Sequence, residues 1–388
     1  MTPPRLAEND VLGVEDLLGA AERERLAEVR GYLRDEVQPI VLEHWIAGTF
    51  PESLIPTLAD SGLVGVRQSG GSALLAGSIA AELARTDLSM CSFMGIHDGL
   101  VVGAIRLYGD DRQRGELIPE LLAFRKIGAF ALTEPDHGSD VAGGLECSVR
   151  REGGSWRLSG SKRWIGNALF DGYLIVLARE EESGAVRGFV VDSRADGIEA
   201  TPIGHKSGLR IVQNAHLVFS DVVVPESRRL PGIERFGDIA PLLRDSRILI
   251  GWQAVGVQAA AFDLAREYVA ERRQFGRPLG SFQLVQSQLA AMHGNLAASR
   301  SMMAQVARLQ DEDRATAEIA ALVKAHTSKL ARETVAIGRN LFGGNGLSAD
   351  YGIAKLFNDA EAIYTYEGTY EINTLIAGRS ITGYSAFV

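Results

Sequence analysis

Cysteine is nearly absent. Cys91 and Cys147 are the only two in 388 residues, too few for a disulfide scaffold or a four-cysteine zinc site. They are expected as buried thiols in a reducing compartment, and no metal site is expected. Lysine is scarce as well, six against thirty-four arginines, a bias that carries no function by itself. No run approaches eighteen apolar residues, so no membrane span is expected. The amino terminus, Met1-Thr-Pro-Pro-Arg5, has no apolar core of the signal-peptide kind. Ala386-Phe-Val388 is not the usual peroxisomal address, and a cytoplasmic or matrix-like location is expected. Basic excess is missing too: the net charge of −9 argues against nucleic acid as the main partner, whose usual footprint is a basic face. An anionic small ligand stays possible, since it needs only a local cluster of arginines and backbone N–H groups.

The hydrophobic share of 46% and charged share of 23% are those of an ordinary globular protein, and the length allows two or three domains. Residues 1–126 read as helical, beginning with an amphipathic stretch from Glu15 to Trp45 that places Leu26, Val29, Leu33, Val37, Ile40 and Val41 near one face. Further helices are expected over 73–85, 92–108 and 111–124. Residues 127–237 change character. Short strand-like runs at 128–132, 156–158, 173–178, 188–192 and 216–224 are separated by Gly, Asp and Pro, as in a small β domain. Residues 238–388 return to long helices. One seam runs Phe282, Val285, Leu289, Met292, Leu296, Met303 and Val306; the next runs Ile319, Val323, His326, Leu330, Ile337 and Leu341. Both fit an antiparallel bundle, with the methionines and His326 expected as core. The fold class is therefore mainly α with a central β domain, an order that suits a large enclosed ligand touched by all three parts.

One stretch near the carboxy terminus stands out, Tyr364-Thr-Tyr-Glu-Gly-Thr-Tyr-Glu-Ile-Asn373. It sets Glu367 immediately before Gly368, where a glycine allows a close approach and unusual φ. With four other motifs it resembles the acyl-CoA dehydrogenase family of flavoproteins. Those motifs are Thr133-Glu-Pro-Asp-His-Gly-Ser-Asp140, Ser161-Lys-Arg-Trp-Ile-Gly-Asn167, Glu271-Arg-Arg-Gln-Phe-Gly276 and Gly343-Gly-Asn-Gly346. The resemblance runs from about residue 20 to the end. It implies a helical amino-terminal domain, a β-barrel-like middle domain and a carboxy-terminal four-helix bundle, with FAD as cofactor.

The resemblance also implies roles. Phe130, Leu132, Thr133 and Ser139 would contact the flavin, Ser139 also approaching the CoA part of the substrate, while Trp164 and Gly166 would lie beside the isoalloxazine ring. Arg272, Gln274, Phe275 and Gln283 would reach the pyrophosphate or adenosine of a flavin held mainly by a neighbouring subunit, with Gly343 and Gly344 at the adenosine end. Thr369 and Glu371 belong to the same cofactor set. Arg247 would anchor CoA, Gly368 would lie against the substrate, and Glu367 would be the catalytic base. Some branches carry that glutamate just before the arginine, but Ser246 stands there and cannot serve. The base would take the α-proton of an acyl-CoA while hydride leaves the β-carbon, giving a trans-2-enoyl-CoA.

Within the family, the carboxy-terminal run is most like glutaryl-CoA dehydrogenase and the plant peroxisomal short-chain acyl-CoA oxidase. Cys91 stands where the glutaryl enzymes use an arginine for the distal carboxylate, which weighs against a dicarboxylic substrate. Gly166 replaces a threonine whose hydroxyl bonds flavin N5 in many dehydrogenases, which would leave room for oxygen. The favoured reading is a dehydrogenase of short or medium acyl chains passing electrons to electron-transfer flavoprotein, with Trp252 shortening the acyl pocket. Alternatives are an oxidase using O2, a flavin monooxygenase on the same fold, a CoA-binding scaffold without catalysis, and an acyl group on a carrier protein. The resemblance implies a homodimer or homotetramer.

Overall fold

The computed structural model describes residues 9–386. Residues 1–8 and 387–388 lie outside it, and with them the amino-terminal stretch Met1–Arg5 and the last two residues read above. The amino-terminal helices are α1 (Ala20–Tyr32), α2 (Gln38–Ala47), α3 (Ile55–Leu58), α4 (Ala73–Thr86), α5 (Leu88–Met94), α6 (Gly103–Tyr108) and α7 (Asp111–Leu122). The expected stretch 15–45 is interrupted at Leu33–Val37 by a π-type turn. The chain from α5 to α6 runs on through a second such segment, Gly95–Val102. Sharp starts have sharp causes. Ser72 accepts from the N–H of Leu75 at 3.1 Å and Asp87 from that of Met90 at 2.7 Å, satisfying donors that a helix leaves open.

The middle part begins with β1 (Ile127–Ala131) and, after the short α8 (Val141–Gly144), continues with β2 (Ser148–Glu152), β3 (Ser155–Gly166) and β4 (Gly172–Glu180). It ends with β5 (Val186–Asp192), β6 (Ile198–Pro202), β7 (Asn214–Pro225) and β8 (Arg229–Leu230). They form one eight-stranded sheet in the order β6-β7-β3-β2-β4-β5-β8, with β1 pairing parallel to β4. β2 and β6 are strands that the sequence pattern does not announce. β2 carries Arg150, Arg151 and Glu152 on its exposed end, and β6 lies with four of five residues exposed, so neither has the apolar alternation the pattern requires.

The long helices are α9 (Ala240–Glu271), α10 (Gln283–Asp311), α11 (Ala317–Leu341), α12 (Ile353–Thr365) and α13 (Tyr370–Thr382), with a small hairpin of β9 (Arg273–Gln274) and β10 (Arg277–Pro278) between α9 and α10. Met292 and Met303 are fully buried core, as expected. The α11 seam is corrected at one position. His326 is exposed, whereas Val323 and Leu341 are buried and Ile319 and Ile337 pack against the core. The buried face also takes in Ala320, Lys324, Thr327, Ser328, Ala331 and Thr334, small and polar residues that the apolar spacing does not mark.

Two helical stretches, 88–108 and 236–271, are long and apolar enough to cross a bilayer despite the charged residues that interrupt them. The fold buries 78% and 89% of those windows, so their hydropathy is spent on the protein core. Both cysteines are free and buried.

Candidate active site

The turn between α12 and α13 carries Glu367. Its φ of 55° is left-handed, a conformation that costs a non-glycine residue about 1–3 kcal/mol and persists where the surroundings impose it. Gly368 follows with a φ of 80°, and a Cβ on it would lie 2.9 Å from the side-chain amide of Asn373. That amide donates to the carbonyls of Glu367, Gly368 and Thr369 at 3.2, 2.7 and 3.0 Å. From α11 the ammonium of Lys324 donates to the carbonyls of Tyr364 and Gly368 at 3.1 and 2.6 Å. Thr369 caps α13 through the N–H of Ile372 at 3.3 Å. The Glu367 N–H itself donates to no protein acceptor among the described residues.

Burial pushes the Glu367 carboxyl above the usual carboxylate range, opposed by a hydrogen bond from Ser246 and by the charges of Arg247 and Lys324. Ser246, which the sequence marks only as unable to act as base, thus faces Glu367 from α9. Arg247 is the expected anion anchor. Burial lowers its basicity, its Nε is buried without a partner, and it forms no ion pair among the described residues. A buried guanidinium with an unused N–H is suited to receive an anion or a carbonyl. Behind Glu367 the Tyr366 hydroxyl donates to Gln253 and lies 3.3 Å from that of Ser92. Gln253 in turn reaches the Cys91 sulfur at 3.6 Å, and burial pushes that thiol up to about 12.

A cavity of about 450 Å³ lies between the amino-terminal helices and α9, touching Ser246, Cys91, Met94, Gly95, Leu249 and Trp252. That volume is within the range of small-molecule sites. Trp252 of α9 is 3% exposed and packs against α4, where a Cβ on Gly77 would sit 2.0 Å from the indole. Arg67 and Arg244, which line the same cavity, are paired with Asp311 and Asp245. Among the described residues the hydrogen-bond partners of the Cys91 sulfur are the Ala80 carbonyl and the Gln253 amide, not a cation, although Arg106 also lines the cavity.

The end of β1 and an irregularity in β3 form a second wall. The β3–β7 register shifts by one residue between Lys162 and Ile165, and the bulge turns Trp164 outward at a φ of 64°, 52% exposed. The Arg163 N–H donates to the Thr133 carbonyl at 2.8 Å, and the buried Lys162 to the Leu132 carbonyl at 2.9 Å. Phe130, Leu132 and Thr133 are half-buried and Ser139 exposed. Gly166 is buried, and a Cβ there would lie 2.4 Å from Cδ1 of Ile96. The space expected beside residue 166 is therefore filled by an isoleucine.

The remaining expected residues stand elsewhere. Arg272 caps the far end of α9, 25 residues beyond Arg247, which at 1.5 Å per residue is about 37 Å along the helix. Gln274, Gln283 and Phe275, which is 93% exposed, lie on the surface beside it. Stacking of Tyr268 on Phe342 at 3.9 Å brings Gly343 and Gly344 to that same end, where nothing lies within 4 Å of a Cβ on either. Glu371 is exposed on the first turn of α13. The expected cofactor residues thus fall on two separate surfaces of one chain, one with the uncovered Trp164 near Thr133 and the other with Arg272 near the open backbone of Gly343 and Gly344. Both carry the kinds of groups that can face a flavin dinucleotide.

Three family models match the chain in succession: the acyl-CoA dehydrogenase N-terminal domain over residues 20–125, the middle domain over 129–222 and the C-terminal domain over 237–382. The chain is 30% identical over 373 residues to the acryloyl-CoA reductase (NADH) of Anaerotignum propionicum, covering 93% of this chain and 94% of that protein. It is also 30% identical over 359 residues to the short-chain specific acyl-CoA dehydrogenase of Megasphaera elsdenii, covering 89% and 94%. Two solved structures of glutaryl-CoA dehydrogenase from Mycobacterium smegmatis, one in complex with FADH2, superpose with a TM-score of 0.95 at 33% and 30% identity, covering 99% of this chain and 100% of each. The fold and these matches define an FAD-dependent oxidoreductase. The chain belongs to the acyl-CoA dehydrogenase family.

Proposed function

We propose that the protein desaturates a short- or medium-chain monocarboxylic acyl-CoA to the trans-2-enoyl thioester, with Glu367 as base. The observation that carries this is Glu367 itself: a carboxyl raised by burial, on a rigid turn, with its own N–H unspent. A raised carboxylate is a stronger base, nearer the pKa at which proton transfer at neutral pH is most efficient. The free N–H would donate to the thioester carbonyl and stabilise the negative charge that develops there as the α-proton leaves. When bound, FAD supplies the acceptor for the hydride from the β-carbon. Arg247 would hold an anionic or carbonyl group of the CoA arm, and Trp164, Thr133 and Ser139 would form the wall that orients the ring. Trp252 over Gly77 supports a short acyl pocket, and the absence of a cation at Cys91 supports a monocarboxylic chain.

Ile96 against Gly166 favours dehydrogenase over oxidase, because the room for oxygen is occupied, and electron-transfer flavoprotein is the acceptor we assign. The separation of about 37 Å between Arg247 and Arg272 along α9 supports a homo-oligomer in which each Arg272 serves the flavin of another copy. Anaerobic titration of the flavoprotein with saturated acyl-CoAs of four to twelve carbons, with Glu367→Gln beside it, tests the reading. Bleaching of flavin absorbance in the unmodified protein alone, strongest with a short chain, is expected. A flavin that no acyl-CoA bleaches overturns the thioester substrate.

A further inference from the structure

Three lysines are buried among the described residues, and two of them have carboxylates to answer their charge. Lys162 lies 2.8 Å from Glu134, and Lys355 lies 2.7 and 3.0 Å from Asp87 and Asp359. Lys324 is different. Its ammonium meets no carboxylate within hydrogen-bonding distance among the described residues and is spent on two carbonyls, those of Tyr364 and Gly368. These two carbonyls bracket Glu367. The first belongs to the last turn of α12, where a cation is also favoured by the helix dipole. The second is the carbonyl that Asn373 also holds, at 2.7 Å.

We propose that Lys324 is the positioning residue of the base: its ammonium ties down the turn that aims Glu367 and supplies a positive charge that favours the carboxylate over its protonated form. The inference rests on the reading of Glu367 as base. A left-handed glutamate does not hold its own conformation, so the turn needs outside partners. Lys324 reaches it from α11, and Asn373 from α13. The charged groups facing the ammonium are Glu367 on the turn, Arg247 on α9 and Glu371 on α13, and burial pulls the lysine down to about 8, still largely charged at neutral pH. Burying a cation without a carboxylate is costly. That cost is understandable where the cation acts on a catalytic carboxylate rather than on the fold alone.

The two effects separate by variant. Anaerobic single-turnover bleaching with butyryl-CoA and octanoyl-CoA is followed from pH 5 to 9 in the FAD-loaded protein and in Lys324→Met, Lys324→Gln and Lys324→Arg. Removal of the neighbouring cation raises the Glu367 pKa, so the acid limb of the rate profile moves up by about one pH unit in the Met and Gln variants. The plateau falls about tenfold or more as the turn loosens. Lys324→Arg keeps the charge and changes the reach. Its acid limb stays where the unmodified protein has it, and its plateau still falls. An acid limb that does not move in the Gln or Met variant overturns the electrostatic role, and a full plateau in Lys324→Arg overturns the geometric one. Should the Met variant not fold, the Gln and Arg variants carry both comparisons. Bleaching by Glu367→Gln, run in parallel, overturns the base assignment instead, so the two failures are told apart.

Discussion

Ile96 and Gly166 are complementary: the isoleucine Cδ1 stands 2.4 Å from the place a Cβ would take at residue 166. The glycine at 166 thus does not leave an open space on that side, because a residue from the amino-terminal part fills it; in the proposed reading that side faces the flavin. Ile96→Ala is expected to speed the reoxidation of the reduced flavoprotein by air about tenfold or more, read from the return of flavin absorbance, with little change in bleaching by substrate. Gly166→Thr should cost about 1–3 kcal/mol through overpacking, read from urea unfolding. Unchanged reoxidation in the alanine variant would show that oxygen reaches the flavin by another way.

Trp252 limits the acyl pocket in the proposed reading, and Gly77 makes room for it. Trp252→Leu is expected to move the preferred substrate to longer chains by two carbons or more, seen as a shift of kcat/KM across an acyl-CoA series. The lost packing should lower stability by about 2–4 kcal/mol. If the preference stays put, the tongue of the pocket lies elsewhere in the cavity.

The Asp87–Lys355–Asp359 cluster is fully buried and joins distant parts of the chain. Asp359 accepts from the Trp45 indole at 2.9 Å and from the N–H of Leu209 at 2.6 Å. Lys355→Met leaves two carboxylates without their cation, and a loss of about 3–5 kcal/mol is expected, measured as a lower urea midpoint at unchanged slope. A loss under 1 kcal/mol would mean the carboxylates take up protons and relax.

His97 gives the protein an acid weakness. Its Nδ1 accepts from the N–H of Gly128 and its Nε2 donates to the carbonyl of Leu121, each at 2.9 Å, and burial pulls its pKa down to about 4. The unfolded chain takes up the proton first, near pH 6.5, so stability present above that pH is lost as pH falls towards 4. The loss amounts to about 3 kcal/mol at most. Urea unfolding at pH 7.5 and pH 5 should display that slope in the unmodified protein and less of it in His97→Gln. Equal slopes in the two would place the acid sensitivity in the carboxylates.

Much of this site was legible beforehand because its motifs are local. Glu367 beside Gly368 can be read from ten residues, and so can the Thr133 turn, since turn chemistry depends on neighbours in sequence. What could not be read is what comes from afar. Lys324 precedes the turn by more than forty residues and sits one position off the apolar pattern, among Val323, Ala325 and Thr327. Its one signal is a lysine amid small apolar neighbours in a chain that otherwise uses arginine. His326 falls on the three-and-four spacing yet is exposed, because alanines, serines and threonines share the buried face of α11 with its valines, and periodicity weighs those small residues too lightly. Ile96 filling the place of a missing side chain at Gly166 is a tertiary fact that no local pattern encodes.

Asp359 has a consequence for how the molecule is made. Its partners Trp45, Leu209 and Lys355 come from the early, middle and late thirds of the chain. A ribosome releases these segments in order, over tens of seconds at about 5–20 residues per second. The first two parts can collapse as they emerge, but the indole of Trp45 and the turn at Leu209 wait for a carboxylate that arrives near the end of synthesis. Until residue 359 has emerged, the indole of Trp45 and the N–H of Leu209 lack the acceptor that joins them in the finished fold, so this junction closes last.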